Sequence, residues 1–356
     1  MPVLDLSASS VDLTRTICDI PSVSGEEKTL ADAIDHAVHR LAHLDVYRDG
    51  DTIVARTNLG RAQRVVIAGH IDTVPVNHNL PTREIGADGE RMLWGRGTVD
   101  MKAGVAVQLK LAAELVSPRV DITWMWYDHE EVDADLNGLT RLSRTRPDLF
   151  AGDFAILGEP SNGQVEGGCN GNLRAIVRTH GVRAHSARAW MGENAIHRAA
   201  PILGRLADYV PQEVAVDGLA YREGLNAVRI RGGIAGNVIP DLCEVEVNYR
   251  FAPSRTPDEA VAHVRGVMDG FEVEVVDIAP GARPGLDAPL AQEFVAAVGA
   301  EPRPKYGWTD VARFSALGVP AVNYGPGDAS LAHHDEERVP LAQIEDVERG
   351  LRAWLS

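Results

Sequence analysis

His70 and Asp72, an imidazole and a carboxylate, stand two positions apart in the run Val-Val-Ile-Ala-Gly-His-Ile-Asp-Thr-Val-Pro of residues 65–75. Residues 65–68 have the β-branched pattern of a strand buried on both faces. Side chains at i and i+2 of an extended segment point to one side, so the two groups leave the strand end together. Open α/β sheets hold their ligands at that edge. A metal-binding imidazole commonly has its other ring nitrogen held by a carboxylate, and Asp72 suits that part for His70.

Four further stretches bring acids or imidazoles to the end of an expected strand or to a loop. Gly-Arg-Gly-Thr-Val-Asp-Met-Lys-Ala-Gly (residues 95–104) sets Asp100 at a glycine-rich turn before a helix. Glu130 and Glu131 follow the apolar run 122–126, and Glu159 follows the apolar run 154–157. His333 and His334 come after a Gly-Pro-Gly loop, with Glu337 close behind. Each alone also fits something plainer, a helix N-cap at Asp100 or a solvated loop elsewhere. Together they offer imidazoles and hard oxygen donors from separate strand ends, which suits Zn²⁺ or a related ion. A shared carboxylate can bridge two such ions about 3.5–4 Å apart. Such a centre polarises a carbonyl and activates water, and hydrolysis then needs a carboxylate that ligates nothing as general base. Adjacent Glu130 and Glu131 can divide those tasks. The expected chemistry is amide hydrolysis.

The frame for these residues reads as alternating elements. A helix over 11–20 comes first. Ser24 and Glu27 are spaced as a capping box that opens an amphipathic helix running to Leu41. Strands are expected over 46–57 and 65–68, a polar loop over 80–96, and an apolar helix over 101–116. A strand over 121–127, a helix over 136–144 and a strand over 154–157 follow. Strands alternating with helices imply a mostly parallel sheet. Beyond about Gly171 the order becomes strand 173–179, helix 194–209, strands 225–230 and 243–251, helix 256–268, strand 271–278, the split βαβ pattern. Pro280, Gly281, Pro284 and Gly285 form a linker. Helices over 288–298 and 341–354 then flank a short strand over 320–324. The expected architecture is an α/β catalytic domain in two parts, 1–172 and 285–356, interrupted by a ferredoxin-like α+β domain over 173–284. A hinge is expected near 171–173 and 279–285, with closure of the inserted domain.

Composition excludes some partners. With 51 acidic against 35 basic residues the formal net charge of the 356-residue chain is −16, so its long-range field repels phosphate and argues against nucleic acid or an anionic membrane. Residues 1–20 lack a basic stretch with an apolar core, and no run approaches the roughly 18 apolar residues of a span; neither signal peptide nor membrane span is expected. Cys18, Cys169 and Cys243 are odd in number and far apart, as free thiols of a cytoplasmic protein would be.

The five motifs, in this order, resemble those of the co-catalytic zinc amidohydrolases, which include aminoacylases, acetylornithine deacetylases, glutamate carboxypeptidases and succinyl-diaminopimelate desuccinylases. The resemblance spans nearly the whole chain. It implies a zinc-peptidase-like mixed sheet with helices on both faces and an inserted lid. It also implies two Zn²⁺ per subunit, with Co²⁺ possible at one site. His70, Asp100 and Glu159 would hold one ion, and Asp100 would bridge to a second held by Glu131 and His333. Glu130 would be the base and Asp72 the partner of His70. His333 is preferred to His334 because the family has a Glu four residues after this ligand and a Val two further on, matching Glu337 and Val339. Gly-Val-Arg-Ala-His-Ser (181–186) and Gly-Glu-Asn-Ala (192–195) resemble the family's dimerisation lid. That implies a homodimer in which His185 reaches the other subunit's active site and donates to the scissile carbonyl. Asn237 and Arg250 become candidates for substrate carboxylates, and Thr309, within Trp-Thr-Asp, a substrate-side candidate.

Residues 181–203 are most similar to the desuccinylases, which implies cleavage of N-succinyl-LL-2,6-diaminopimelate. The chain departs from them at one place, with Gly-Cys-Asn-Gly-Asn (168–172) where familiar desuccinylases carry Gly-Arg-Arg-Gly-Ser. An arginine suited to bidentate pairing with a carboxylate is missing there. The alternative is the same chemistry on another N-acyl amino acid or on a dipeptide or carboxypeptidase substrate. A non-catalytic binding protein is disfavoured, because every metal and base position is filled.

Overall fold

In the computed structural model, which describes every residue except Met1 and Asp88, the chain opens with α1 (Ser10–Cys18) and α2 (Lys28–Val38). The hairpin β1 (Asp45–Asp49) and β2 (Thr52–Arg56) precedes β3 (Arg64–His70). Residues 80–96, expected as a loop, instead carry a second hairpin, β4 (Arg83–Ala87) and β5 (Glu90–Trp94). Exposed Arg83, Glu84, Glu90 and Arg91 hide its apolar alternation. Next come α3 (Lys102–Glu114), β6 (Asp121–Tyr127), α4 (Gly138–Thr145), β7 (Phe154–Leu157) and β8 (Glu166–Gly167).

The middle of the chain forms β9 (Gly171–His180), β10 (Ala184–His185), α5 (Ala195–Arg198) and α6 (Ala200–Ala207). The helix expected over 194–209 is thus two, and Pro201 in the first turn of α6 is the reason: it has no amide proton to continue α5. A hairpin absent from the sequence reading, β11 (Glu213–Val216) and β12 (Leu219–Arg222), turns at Asp217-Gly218, both at positive φ. Asp-Gly between two apolar runs is the signal that marks it. Then follow β13 (Gly224–Gly232), β14 (Val238–Ile239), β15 (Leu242–Phe251), α7 (Pro257–Val267) and β16 (Glu272–Ala279). The last stretch holds α8 (Pro289–Val298), β17 (Arg303–Pro304), α9 (Val311–Ala316), β18 (Ala321–Asn323), β19 (Arg338–Pro340) and α10 (Leu341–Leu355).

The chain divides into two compact units, Met1–Gly167 with Pro284–Arg303 and Arg313–Ser356, and Gly168–Arg283 with Pro304–Ala312. Residues 304–312, expected with the C-terminal part, group with the second unit. Asn170 N donates to Lys305 O at 3.2 Å and Trp308 Nε1 to Pro280 O at 3.1 Å. Such long-range bonds leave no periodic trace in a sequence.

In the first unit an eight-stranded mixed sheet runs β1-β2-β6-β3-β7-β18-β8-β17. Its centre is parallel: β3 pairs β6 with His70 opposite Tyr127, β3 pairs β7 with Ala68 opposite Leu157, and β18 pairs β7. The chain therefore leaves β3, β6, β7 and β18 at one edge. Almost every residue of α3 is buried, and Gln108 Nε2 donates to Ala68 O at 2.8 Å. Glycine makes that approach possible, since a Cβ on Gly104 would collide with the Gly158 carbonyl.

In the second unit a four-stranded antiparallel sheet runs β13-β15-β9-β16. Along β9 and β15 every second residue is buried. Leu173, Ala175, Val177, Val245, Val247 and Tyr249 point into a core that also holds Ala195, Ile202 and Val264 from the helices. The opposite face carries arginines and acids. Cys18, Cys169 and Cys243 are all buried and free.

Candidate metal centre

β3 delivers His70 to the sheet edge with its side chain buried, and the glycine-rich turn before α3 delivers Asp100 beside it. His70 Nε2 lies 3.0 Å from Asp100 Oδ1. His333 Nε2 lies 3.3 Å from the other oxygen, Asp100 Oδ2, and 3.0 Å from the Glu131 carboxylate. One carboxylate thus sits between two imidazoles, offering an oxygen to each. Ligand atoms of His70, Asp100 and Glu131 all lie within 4.8 Å of one another. Glu159 leaves the same edge two residues past β7 and is buried, but it is outside that 4.8 Å group. His334 offers its backbone carbonyl to Arg96 at 3.3 Å. His333 sits in the left-handed region at φ +66°, a conformation that costs a non-glycine residue energy and recurs at functional sites.

Electrostatics explain the cluster. Burial pushes His70 toward neutrality, but bonds to Asp100 and Asp72 outweigh it and raise its pKa well above the usual range. Asp100 and Glu131 raise His333 to about 10. Burial would raise Asp100, yet bonds to His333 and His70 hold it below the usual carboxylate range. Carboxylates that draw protons onto two imidazoles in this way define a pocket of negative potential. A divalent cation competes with those protons for the same donors. Two imidazoles and neighbouring carboxylates fit zinc by number and chemistry.

Asp72 holds more than its imidazole. Its carbonyl meets His70 Nδ1 at 3.0 Å and its Oδ1 lies 3.4 Å from the same nitrogen. Its two oxygens also accept from Glu130 N and Glu131 N, both at 3.0 Å, and from Ser24 Oγ at 2.7 Å. Burial raises its pKa, but the bonds, His70 first, bring it down to about 2. The capping box expected at Ser24 and Glu27 is therefore a misreading. The Ser24 hydroxyl goes to Asp72, and Glu27 accepts from His129 N at 3.2 Å, so α2 starts without a side-chain cap.

The unexpected hairpin has a purpose here. β5 pairs β19 with Trp94 opposite Arg338, which sets the turn 95–100 beside the loop 333–337. Buried Glu337 ties the two together, accepting from Val99 N at 2.8 Å, Asp100 N at 3.1 Å and Arg96 Nη1 at 2.9 Å. Burial pushes Glu337 up, with the Asp100 and Val99 amides pulling against it. Sequence reading used Glu337 only as a register mark and missed Arg96 and Ser24. Lys102, in the first turn of α3, is buried. It donates to Ile17 O and Ile20 O at 3.2 and 2.9 Å, where α1 ends, and burial brings it down to about 8.

The remaining expected residues lie in the second unit, in two groups. His185 pairs with Val238 across β10 and β14, and Ser186 N donates to Asn237 O at 2.9 Å, so His185 and Asn237 adjoin. Ala187 N donates to His185 Nδ1 at 3.0 Å, which puts the neutral ring's proton on Nε2. Arg250 stands opposite Asn172, and Thr309 O accepts from Cys169 Sγ at 3.7 Å, so these two flank residues 168–172.

The model of the peptidase family M20/M25/M40 matches residues 66–356. The chain belongs to this family. Family members are metal-dependent hydrolases. The chain is 50% identical to a putative succinyl-diaminopimelate desuccinylase of Mycobacterium tuberculosis (strain ATCC 25618 / H37Rv) over 99% of each chain. It is 48% identical to a succinyl-diaminopimelate desuccinylase of Corynebacterium glutamicum, covering 100% of this chain and 98% of the relative. Among solved structures, a Staphylococcus aureus tripeptidase superposes with a TM-score of 0.79 at 20% identity, over 99% and 98% of the two chains. A Bacillus subtilis dinuclear metal-binding peptidase superposes with a TM-score of 0.70 at 16% identity, over 97% and 96%. These two likenesses show the mixed α/β fold. Among the described residues no helix is long and apolar enough to cross a membrane.

Proposed function

We propose that the protein is a di-zinc amidohydrolase that cleaves N-succinyl-LL-2,6-diaminopimelate to succinate and LL-diaminopimelate. The observation that carries the di-zinc part is the Asp100 carboxylate, with one oxygen toward His70 and the other toward His333. The names of the relatives at 50% and 48% identity support the substrate.

His70, Asp100 and Glu159 would hold one ion, and Asp100, Glu131 and His333 the other. Metal bound there supplies Lewis acidity to the amide carbonyl and makes water easier to deprotonate. Asp72 fixes the His70 ring, and through the Glu130 and Glu131 amides it aims a ligand and a base from one carboxylate. Glu130 takes the proton of the attacking water and returns it to the leaving amine nitrogen. His185, with its proton on Nε2, reaches the other subunit's active site and donates to the carbonyl oxygen there as negative charge develops. Asn237, Arg250 and Thr309 take substrate polar groups. The second unit acts as a ferredoxin-like lid and dimerisation surface; its β13 is an exposed edge strand bearing Val228 and Ile230.

One observation favours a second reading. Residues 168–172 lack the arginine expected of a desuccinylase, which leaves room for a different N-acyl amino acid or a peptide. Zinc-loaded protein assayed side by side on N-succinyl-LL-diaminopimelate and N-acetylornithine separates the two. Rapid cleavage of the succinyl compound is expected, with Glu130→Ala inactive but still holding zinc by elemental analysis. Preference for the acetyl compound, or an active Glu130→Ala, overturns the assignment.

A further inference from the structure

The open face of the second unit's sheet is a lattice of matched charges. Arg178 meets Glu244, Glu272 and Glu274 at 2.8, 3.1 and 2.6 Å. Arg174 meets Glu246 and Asp277, both at 3.6 Å, and Arg229 meets Glu246 at 3.3 Å. Arg250, half-buried at the end of β15, breaks the pattern, for it has no ion pair among the described residues. Burial pushes its pKa below the usual guanidinium range.

What Arg250 touches is an amide. Its Nε donates to Asn248 Oδ1 at 3.1 Å, Asn248 Nδ2 donates to Asn172 Oδ1 at 2.7 Å, and Asn172 Nδ2 donates to Asp277 Oδ2 at 3.4 Å. The direction of this chain is fixed by its ends, since a guanidinium can only donate and a carboxylate only accept. Both amides are therefore oriented without ambiguity. Asp277 is engaged by Asn172 and Arg174, so the fold interposes an amide where an acid could have neutralised Arg250. With Nε occupied, the two terminal nitrogens keep a planar fork that matches a carboxylate. A desolvated arginine without an acid is costly unless an anion arrives.

We propose that Asn172 and Asn248 are positioning residues that orient Arg250 toward a substrate carboxylate and insulate it from Asp277. The pair compensates for the arginine missing from residues 168–172. This rests on the hydrolase reading above. The carboxylate is that of the acyl group or that of the amino acid.

Asn248→Asp keeps the shape but turns the amide into an acid that captures Arg250. For this variant KM on N-succinyl-LL-diaminopimelate is expected to rise at least about tenfold, with kcat within about twofold and zinc content and Tm unchanged. Asn172→Ala, which cuts the chain, should raise KM in the same sense. A KM within twofold of the parent in both variants overturns the proposal, as does an Arg250→Ala enzyme with unchanged KM. A penalty confined to succinyl over acetyl substrates identifies the acyl carboxylate, and an equal penalty on both identifies the amino-acid carboxylate. If the parent cleaves neither substrate, the desuccinylase reading fails separately. Calorimetric titration with succinate and LL-diaminopimelate then decides: weaker binding by Asn248→Asp supports the relay, and equal affinity, or no binding by the parent, overturns it.

Discussion

Replacing Glu337 tests whether the site is held together by a residue that ligates nothing. Its carboxylate accepts three hydrogen bonds, two from the backbone that presents Asp100 and one from Arg96, and it is only 1% exposed. Glu337→Ala leaves a buried guanidinium and two amides without their acceptor, a loss of about 3–5 kcal/mol for breaking a buried pair. Glu337→Gln keeps one acceptor oxygen and escapes the desolvation of a charge, which already pushes the native carboxyl upward. Its cost is correspondingly lower, about 1–3 kcal/mol. At roughly 2–4 °C per kcal/mol for a unit of this size, Tm should fall by about 2–12 °C for the glutamine and further for the alanine. Because Glu337 also ties the Asp100 turn to the loop carrying His333, zinc affinity should fall about 10–100-fold, the usual effect of removing an outer partner of a metal ligand. Thermal melts of chelator-treated protein and zinc titration against a competing chelator measure the two effects separately. A Glu337→Gln protein that binds two zinc ions with parental affinity and melts within 1 °C of the parent refutes the reasoning.

Gly104→Ala should destabilise although alanine favours helix by about 1 kcal/mol. Its Cβ would strike the Gly158 carbonyl, and overpacking costs about 1–3 kcal/mol where backbone must move; an unchanged or raised Tm counts against the close packing of α3 on the end of β7. The His333 pKa, raised to about 10, gives a signed pH dependence in metal-free protein. Stability from protonated His333 is complete below its ordinary value near 6.5 and is lost as pH climbs toward 10. The Tm difference between parent and His333→Gln, both chelator-treated, should therefore shrink from pH 6 to pH 10; a constant or growing difference refutes the pairing with Asp100 and Glu131.

What could be read from the sequence, and what could not, follows the range of the interaction. Residues 65–75 show a buried strand ending in His-x-Asp because burial and two-residue periodicity are local. Parallel pairing of such strands then brings their C-terminal ends to one edge. Ser24 shows the limit. Three residues before Glu27 it has the spacing of a capping box, and nothing local reveals that its hydroxyl goes to Asp72 instead. The hairpin over residues 83–94 was hidden for a related reason, because exposed charges replaced the apolar alternation, yet its pairing with β19 sets Asp100 beside His333. Arg96 and Glu337 likewise find each other only through that pairing. The two carboxylates Asp72 and Glu337 share one design: each is buried, and each accepts backbone N–H groups from a segment that presents a site residue. Exposed acids could bind a metal as readily, but they would hold no geometry. A buried acid with its acceptor capacity filled by backbone converts the cost of desolvation into a fixed position for its neighbour. That is why the residues that orient the site lie deeper in the fold than several of those that would meet the substrate.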